Sequence, residues 1–273
     1  DRFVDHSLMF YDSDKLVAML PASQHGSELH SHGGLTYGGL ITSTEIRVQQ
    51  VLGIFMALKD YLKEHGISSL LYKRVPEIYY RYPSDEDLYA LYRIGANIVR
   101  RDISSTIYLP SKIKFSDRRK RGSKHAAKQD VLVRQSENYS EYIGMLSEIL
   151  HKYHDTKPVH TAEELELLAS RFPENIKLYA AYKDDKILAG VVIYETDKVA
   201  HAQYIANSDE GRQCGALDAV IDYLINQQYA DKEYFDFGVS TENNGMFLNE
   251  GLVTQKQEFG GRGIVYDFYE IRV

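Results

Sequence analysis

The chain has 273 residues, 44% hydrophobic and 26% charged, enough for one large domain or two ordinary ones at roughly 150 residues each. A formal net charge of −7 argues against a general nucleic-acid binder, and a single cysteine, Cys214, excludes an internal disulfide. No apolar run approaches the roughly 20 residues of a membrane span and no signal-peptide pattern opens the chain, so a soluble protein of a reducing, cytoplasmic compartment is expected. The chain starts at Asp1 without a methionine, which leaves room for a first domain truncated at its start.

In chain order, Ser7 to Tyr11 and Leu16 to Leu20 flank the turn Asp12-Ser13-Asp14-Lys15, a hairpin signal. Leu35 to Thr42 reads as a strand. Val48, Val51, Leu52, Phe55, Leu58 and Leu62 then fall at helical spacing, and Ser69 to Tyr72 is a further strand. The plan recurs downstream. Ile176 to Tyr182 and Ile187 to Tyr194 flank a second turn, and Val199 to Ala206 reads as a strand. A helix through Ala216, Val220, Tyr223 and Leu224 and a strand at Tyr234 to Phe237 complete the unit. Both predicted helices contain Asp-Tyr-Leu, at Asp60 and at Asp222. This is the pattern of a duplicated β-β-β-α-β unit, giving domains at 1–115 and 131–273.

Residues 116–130 carry the most basic stretch, "DRRKRGSKHAAK", and read as a linker. After it come a short strand at Val131 to Val133 and a helical face of Tyr142, Ile143, Leu146, Ile149 and Leu150. A second helix is predicted over Glu163 to Phe172, with Thr161 and Glu164 as a capping box. Alternating strands and helices predict an α/β (α+β) fold, each domain a mixed, mostly antiparallel sheet flanked by helices.

Ser208 to Ala216 joins a strand to a helix through glycines. Such a junction offers unpaired N–H groups and a positive dipole end to an anion. The matching junction Ser43 to Val48 has no glycine, so a diphosphate site belongs to the second half. Cys214 reads as a small buried residue rather than a nucleophile. His30 with His32, and His151 with His154 and His160, have no zinc spacing, so no metal is expected.

The second half resembles a GNAT-type acyltransferase domain. Arg212-Gln213-Cys214-Gly215-Ala216-Leu217 is similar to that family's acyl-CoA pyrophosphate loop, with Leu217 where a small residue is usual. The duplication, Lys157-Pro158-Val159-His160, and Lys256 followed by Phe259-Gly260-Gly261 narrow the resemblance to the FemAB-like and CelD-like tandem GNAT branch. Here Gln255 precedes the lysine, where the branch usually has phenylalanine.

The resemblance implies an acyltransferase with acyl-CoA (acetyl-CoA) as co-substrate, acting on an amine or hydroxyl of a cell-envelope or polysaccharide precursor. Arg212, Gln213, Gly215 and Ala216 are then the donor-binding residues. Lys256 is the candidate oxyanion cation, beside a splayed strand at Ala202 to Ala206. Glu242 and Tyr204 lead Asp236 and His201 as candidate bases. Two alternatives stand beside this reading: a transferase that takes its group from aminoacyl-tRNA, disfavoured by the net charge, and a catalytically silent tandem-GNAT binding protein. The sequence leaves the oligomeric state open.

Overall fold

The computed structural model describes residues 3–273; the start at Asp1 and the side chain of His154 lie outside the described residues. The chain forms two compact units. The first holds residues 1–103, 241–248 and 264–273, and the second holds 104–240 and 249–263. This division differs from the expected domains at 1–115 and 131–273, because the final segment returns to the first unit.

In the first unit the strands are β1 (Val4–Asp5), β2 (Leu8–Asp12), β3 (Lys15–Leu20), β4 (Ala22–His25), β5 (Glu28–Ser31), β6 (Ile41–Thr42) and β7 (Ser69–Lys73). The helices are α1 (Val48–Glu64) and α2 (Glu86–Arg93). β8 (Asn97–Tyr108) leads into the second unit, which continues with α3 (Asp117–Lys128), β9 (Leu132–Ser136), α4 (Tyr139–His154) and α5 (Ala162–Arg171). Strands β10 (Ile176–Lys183), β11 (Lys186–Glu195) and β12 (Val199–Asn207) follow, then α6 (Asp209–Cys214), α7 (Ala216–Tyr223) and β13 (Tyr234–Val239). The first unit regains β14 (Thr241–Glu242) and β15 (Phe247–Leu248), α8 (Glu250–Glu258) belongs to the second, and β16 (Arg262–Arg272) ends the chain.

Within the first unit the main sheet runs β1-β4-β5-β7-β16, and in the second β8-β13-β12-β11-β10-β9. All pairs are antiparallel except β5 with β7 and β12 with β13. This is the mixed, mostly antiparallel α/β architecture expected.

Helix α1 buries Val51, Phe55, Leu58 and Leu62, the i, i+3, i+4 stripe visible in the sequence, against Leu20, Leu29, Leu70 and Tyr72. Each such side chain contributes about 1.5–3 kcal/mol of burial. In the second unit α7 buries Leu217, Val220 and Ile221 on one sheet face, while α4 and α5 cover the other through Tyr142, Leu146 and Leu165. The capping box at Thr161 and Glu164 is present.

Two expected elements differ. Leu35 to Thr42 is not a strand: only Ile41–Thr42 and a bridge from Gly38 to Lys73 form there. Gly34 has φ of 81°, and a side chain at Gly39 would strike the Tyr72 hydroxyl at 2.5 Å, so the chain turns instead. The true counterpart of β12 is β5, whose polar Glu-Leu-His-Ser hid it.

The basic linker is helix α3 of the second unit, capped by Ser116, which accepts from Arg119 N–H. Its inner face is Arg119, Gly122, Ser123 and Ala126, small or polar residues that give no apolar period. Near the end of the chain Phe247 and Leu248 pair with β14, and α8 begins at Glu250 under an Asn249 cap.

Candidate active site

The second unit has a cleft of about 610 Å³ where its two parallel strands diverge. β12 and β13 pair from Val199↔Tyr234 to His201↔Asp236 and no further. On β12 the register passes from Val192↔Tyr204 to Ile193↔Ala202, leaving Gln203 as a bulge. On β13 it passes from Asp236↔Thr106 to Val239↔Ser104, leaving an extra residue. Gly238 supplies it at φ of 75°, as a glycine inside a strand often does. Ile205, Asn207 and Phe237, beyond the last parallel pair, line the cleft.

The second bulge explains Lys256. With the strand turned at Gly238, the carbonyls of Gly238 and Val239 both accept from Lys256 Nζ, each at 2.8 Å. Lys256 stands in the last turn of α8, buried to 4% exposure, and lines the cleft. Burial lowers its pKa to about 8, against which the nearby Asp236 charge acts.

The Gly260-Gly261 pair makes this placement possible. Gly260 follows the helix at φ of 95°, where a Cβ would strike the Ile113 carbonyl at 2.5 Å, and Gly261 N–H donates to the Lys256 carbonyl at 3.1 Å. Phe259, just before them, stacks on Phe237 and lies under the Arg119 guanidinium, 4.7 Å from the ring centre.

Asp236 lies under the point where the strands diverge. Its Oδ1 accepts from Ser104 Oγ at 2.5 Å and Thr106 Oγ1 at 2.7 Å, and its Oδ2 meets His201 Nδ1 at 2.7 Å. Burial favours the neutral acid, but His201 and the two hydroxyls outweigh it and hold the pKa down to about 2. An ionised, fully bonded carboxylate of this kind anchors its neighbours and has no capacity left for a proton at neutral pH.

The donor-binding candidates lie on a helix–glycine–helix kink. Ser208 caps α6, accepting from Gly211 N–H at 3.0 Å. Gly215 breaks the helix at φ of 78°, and α7 restarts at Ala216. Arg212, Gln213 and Gly215 line the cleft. Arg212 is steered by Asp209, 3.4 Å away, and by the Tyr153 ring beneath it at 4.7 Å. Ala216 is fully buried in the core behind them.

Helix α3 closes this end. A Cβ at Gly215 would collide with the Gly122 carbonyl, and one at Gly122 would collide with Asp218 Oδ2. Arg119 bridges Asp218 at 2.9 Å and Glu258 at 2.7 Å, tying α3 to α7 and α8. The cleft therefore collects Arg118, Arg119, Arg212, Lys256 and His125 against one carboxylate, Asp218, whose pKa burial raises and Arg119 opposes. Asn207 Oδ1, also in the lining, is buried without a hydrogen-bond partner.

Of the residues singled out in the sequence, the structure brings Lys256, Arg212, Gln213 and Gly215 to one cleft. Tyr204 is not in its lining; its hydroxyl bonds His160 Nδ1 at 2.6 Å, and burial raises its pKa. Glu242 is an exposed residue of the first unit. The Arg119 clamp and the Gly238 bulge were not anticipated. The glycine inside "FDFGVS" was the available signal for the bulge. Among the described residues no group of three or more His, Cys, Asp or Glu side chains is placed to hold a metal ion, and no helix is long and apolar enough to cross a membrane.

Residues 114–244 match the acetyltransferase (GNAT) domain family. The whole chain resembles solved structures at low identity. FemX aligns at a TM-score of 0.68 and 10% identity, over 99% of this chain and 88% of that one. L-PGS from Bacillus licheniformis aligns at 0.65 and 12%, over 97% and 84%. A tandem GNAT protein from the clavulanic acid biosynthesis pathway aligns at 0.52 and 12%, over 97% and 82%. No curated protein matches the sequence.

Proposed function

From a chain that carries an acetyltransferase (GNAT) domain and has the fold of FemAB-like tandem GNAT proteins, we propose an acyltransferase that takes its group from acyl-CoA. The acceptor is an amine or hydroxyl of a cell-envelope or polysaccharide precursor, and the reaction belongs to the cytoplasm. The observation that carries this reading is one cleft lined by both Lys256 and the Arg212-Gln213-Gly215 kink.

In this reading Arg212, with Arg118 and His125, faces the phosphates of the donor, and Asn207 Oδ1 accepts an amide N–H of its arm. The acceptor attacks the acyl carbonyl, negative charge develops on its oxygen, and collapse of the tetrahedral intermediate breaks the C–S bond and releases CoA as its thiol, with the proton the acceptor gives up. The Lys256 ammonium, held by two carbonyls and mostly protonated at pH 7, stabilises that charge by about 3–4 kcal/mol, as a preorganised oxyanion donor does. Asp236 keeps that cation charged.

Acetyl-CoA should raise the melting temperature of the wild-type protein, and Gly215→Glu should remove the rise, since its side chain meets the Gly122 carbonyl and brings a negative charge. No shift with any CoA thioester would sink the donor assignment. A second reading rests on the packing of α3 against Gly215 and Asp218, which narrows the diphosphate cradle. It makes the donor an aminoacyl-tRNA, met by the exposed cations of α3. A melting shift with charged tRNA, absent with CoA thioesters, selects it.

A further inference from the structure

The first unit also pairs two strands in parallel and holds a cavity of different chemistry. β5 and β7 run parallel from Glu28↔Ser69 to His30↔Leu71 and then diverge. Tyr72, the next residue on β7, lines a second cavity of about 740 Å³ contained within this unit. Tyr79, Tyr80 and Tyr82 bring three rings to it, and Glu86 and Asp87 bring two carboxylates. Ser43 and Thr44, from the loop before α1, add hydroxyls.

The inner carboxylate is fixed in place. Tyr72 O–H donates to Asp87 Oδ2 at 3.0 Å while its oxygen accepts from Leu40 N–H at 3.0 Å. Asp87 Oδ1 accepts from Leu88 N–H at 2.7 Å, and Arg74 Nε stands 3.7 Å away. Each carboxylate oxygen retains lone-pair capacity for a ligand hydroxyl or ammonium.

The lining selects among ligand classes. A phosphate would face both Glu86 and Asp87 against a single cation of the lining, Arg81, and at the adjoining start of α1 the Gln50 side chain accepts from Arg47 N–H. A wholly apolar ligand would strip water from two carboxylates and several hydroxyls without replacing those bonds. A sugar satisfies both kinds of surface, laying its C–H face on the tyrosine rings and its hydroxyls on the carboxylates.

We propose that this cavity is a saccharide-binding pocket, taking an uncharged or amine-bearing sugar and disfavouring phosphorylated ones. Binding stands on this cavity alone; naming the sugar as the acceptor rests on the transferase reading above. The test is saturation-transfer NMR on the full chain with glucosamine, cellotriose and chitotriose, and with glucose 6-phosphate as the anionic probe. At least one of the three sugars should take up saturation, and glucose 6-phosphate should not.

The signal should fall at least fivefold in Tyr82→Ala, a substitution at a residue 66% exposed and so harmless to the fold. It should fall similarly in Asp87→Asn and persist in Lys256→Ala. Silence from all three sugars overturns the inference, as does a signal that survives Tyr82→Ala and Tyr80→Ala or one that Lys256→Ala removes. An acetyl-CoA melting shift on the same sample keeps the two readings apart. Sugar binding without that shift sinks only the donor assignment, and the shift without sugar binding sinks only this inference.

Discussion

Each unit has one pair of parallel strands and a cavity lined by at least one of them, yet the two linings differ in charge. The second unit gathers three arginines and a buried lysine against Asp218; the first gathers tyrosines and two carboxylates against Arg81. The contrast extends to one buried aspartate in each. Asp236 is held ionised, near pKa 2, by His201 and two hydroxyls. Asp87 has its pKa raised by burial, which Arg74 and Tyr72 only partly oppose. The side chains around each cavity, rather than the parallel pair the units share, therefore decide which charge a ligand there can carry.

The largest effect is expected at Lys256. Lys256→Ala should lower kcat by roughly a hundred- to a thousandfold with little change in donor KM, because it removes a contact made to developing charge. The wild-type rate should also fall as pH rises through about 8, where the ammonium is lost. Stability moves the other way. Its folded pKa lies below the ordinary 10.5, so stability gains as pH rises from about 8 to 10.5. A pH–rate profile that stays flat across pH 8 would remove Lys256 from the chemistry.

Next come the two aspartates. Asp236→Asn should cost on the order of 3 kcal/mol, read by urea unfolding, since it breaks a buried, charge-assisted network. Its folded pKa is depressed, so the stability it contributes is present above 3.8 and is lost as pH falls towards about 2. Asp87→Asn should cost well under half as much, because burial already disfavours that charge. Equal costs would erase the distinction between the units.

How much of this was legible in the sequence follows the same physics. Helix α1, both hairpins and the capping box were written in apolar periods and turn residues, which are local signals. Strand β5 was missed because Glu-Leu-His-Ser has no alternation to read. Helix α3 was taken for a linker because its packed face is Arg119, Gly122, Ser123 and Ala126, and only the presence of α7 shows why a glycine must stand there. Lys256, Arg212, Gln213 and Gly215 came from the resemblance to tandem GNAT motifs. What spacing could not show was the Gly238 bulge that turns two carbonyls onto Lys256, a property of strand register rather than of neighbours in sequence.

Gly215 separates packing from ligand binding. Gly215→Ala should cost about 2 kcal/mol, through the positive φ and the collision with the Gly122 carbonyl, and lower the melting temperature by several degrees. Gly66, at φ of 67° with nothing within 4 Å, offers the control in the first unit. Gly66→Ala should cost only the backbone term, about 1 kcal/mol. A larger loss at Gly66 than at Gly215 would show that the α3 contact adds nothing.

The smallest effect concerns Arg212. It is half exposed and screened, steered by Asp209 and Tyr153, so its attraction for a donor phosphate should be worth about 1 kcal/mol. Arg212→Ala should therefore raise donor KM roughly fivefold, leave kcat nearly unchanged, and weaken the salt dependence of KM. Saccharide binding in the first unit should not change at all, because Arg212 has no part in that pocket's lining. If Arg212→Ala lowered kcat instead, the arginine would be touching charge that develops during transfer, and the division between a phosphate end and a reacting end of the cleft would have to be redrawn.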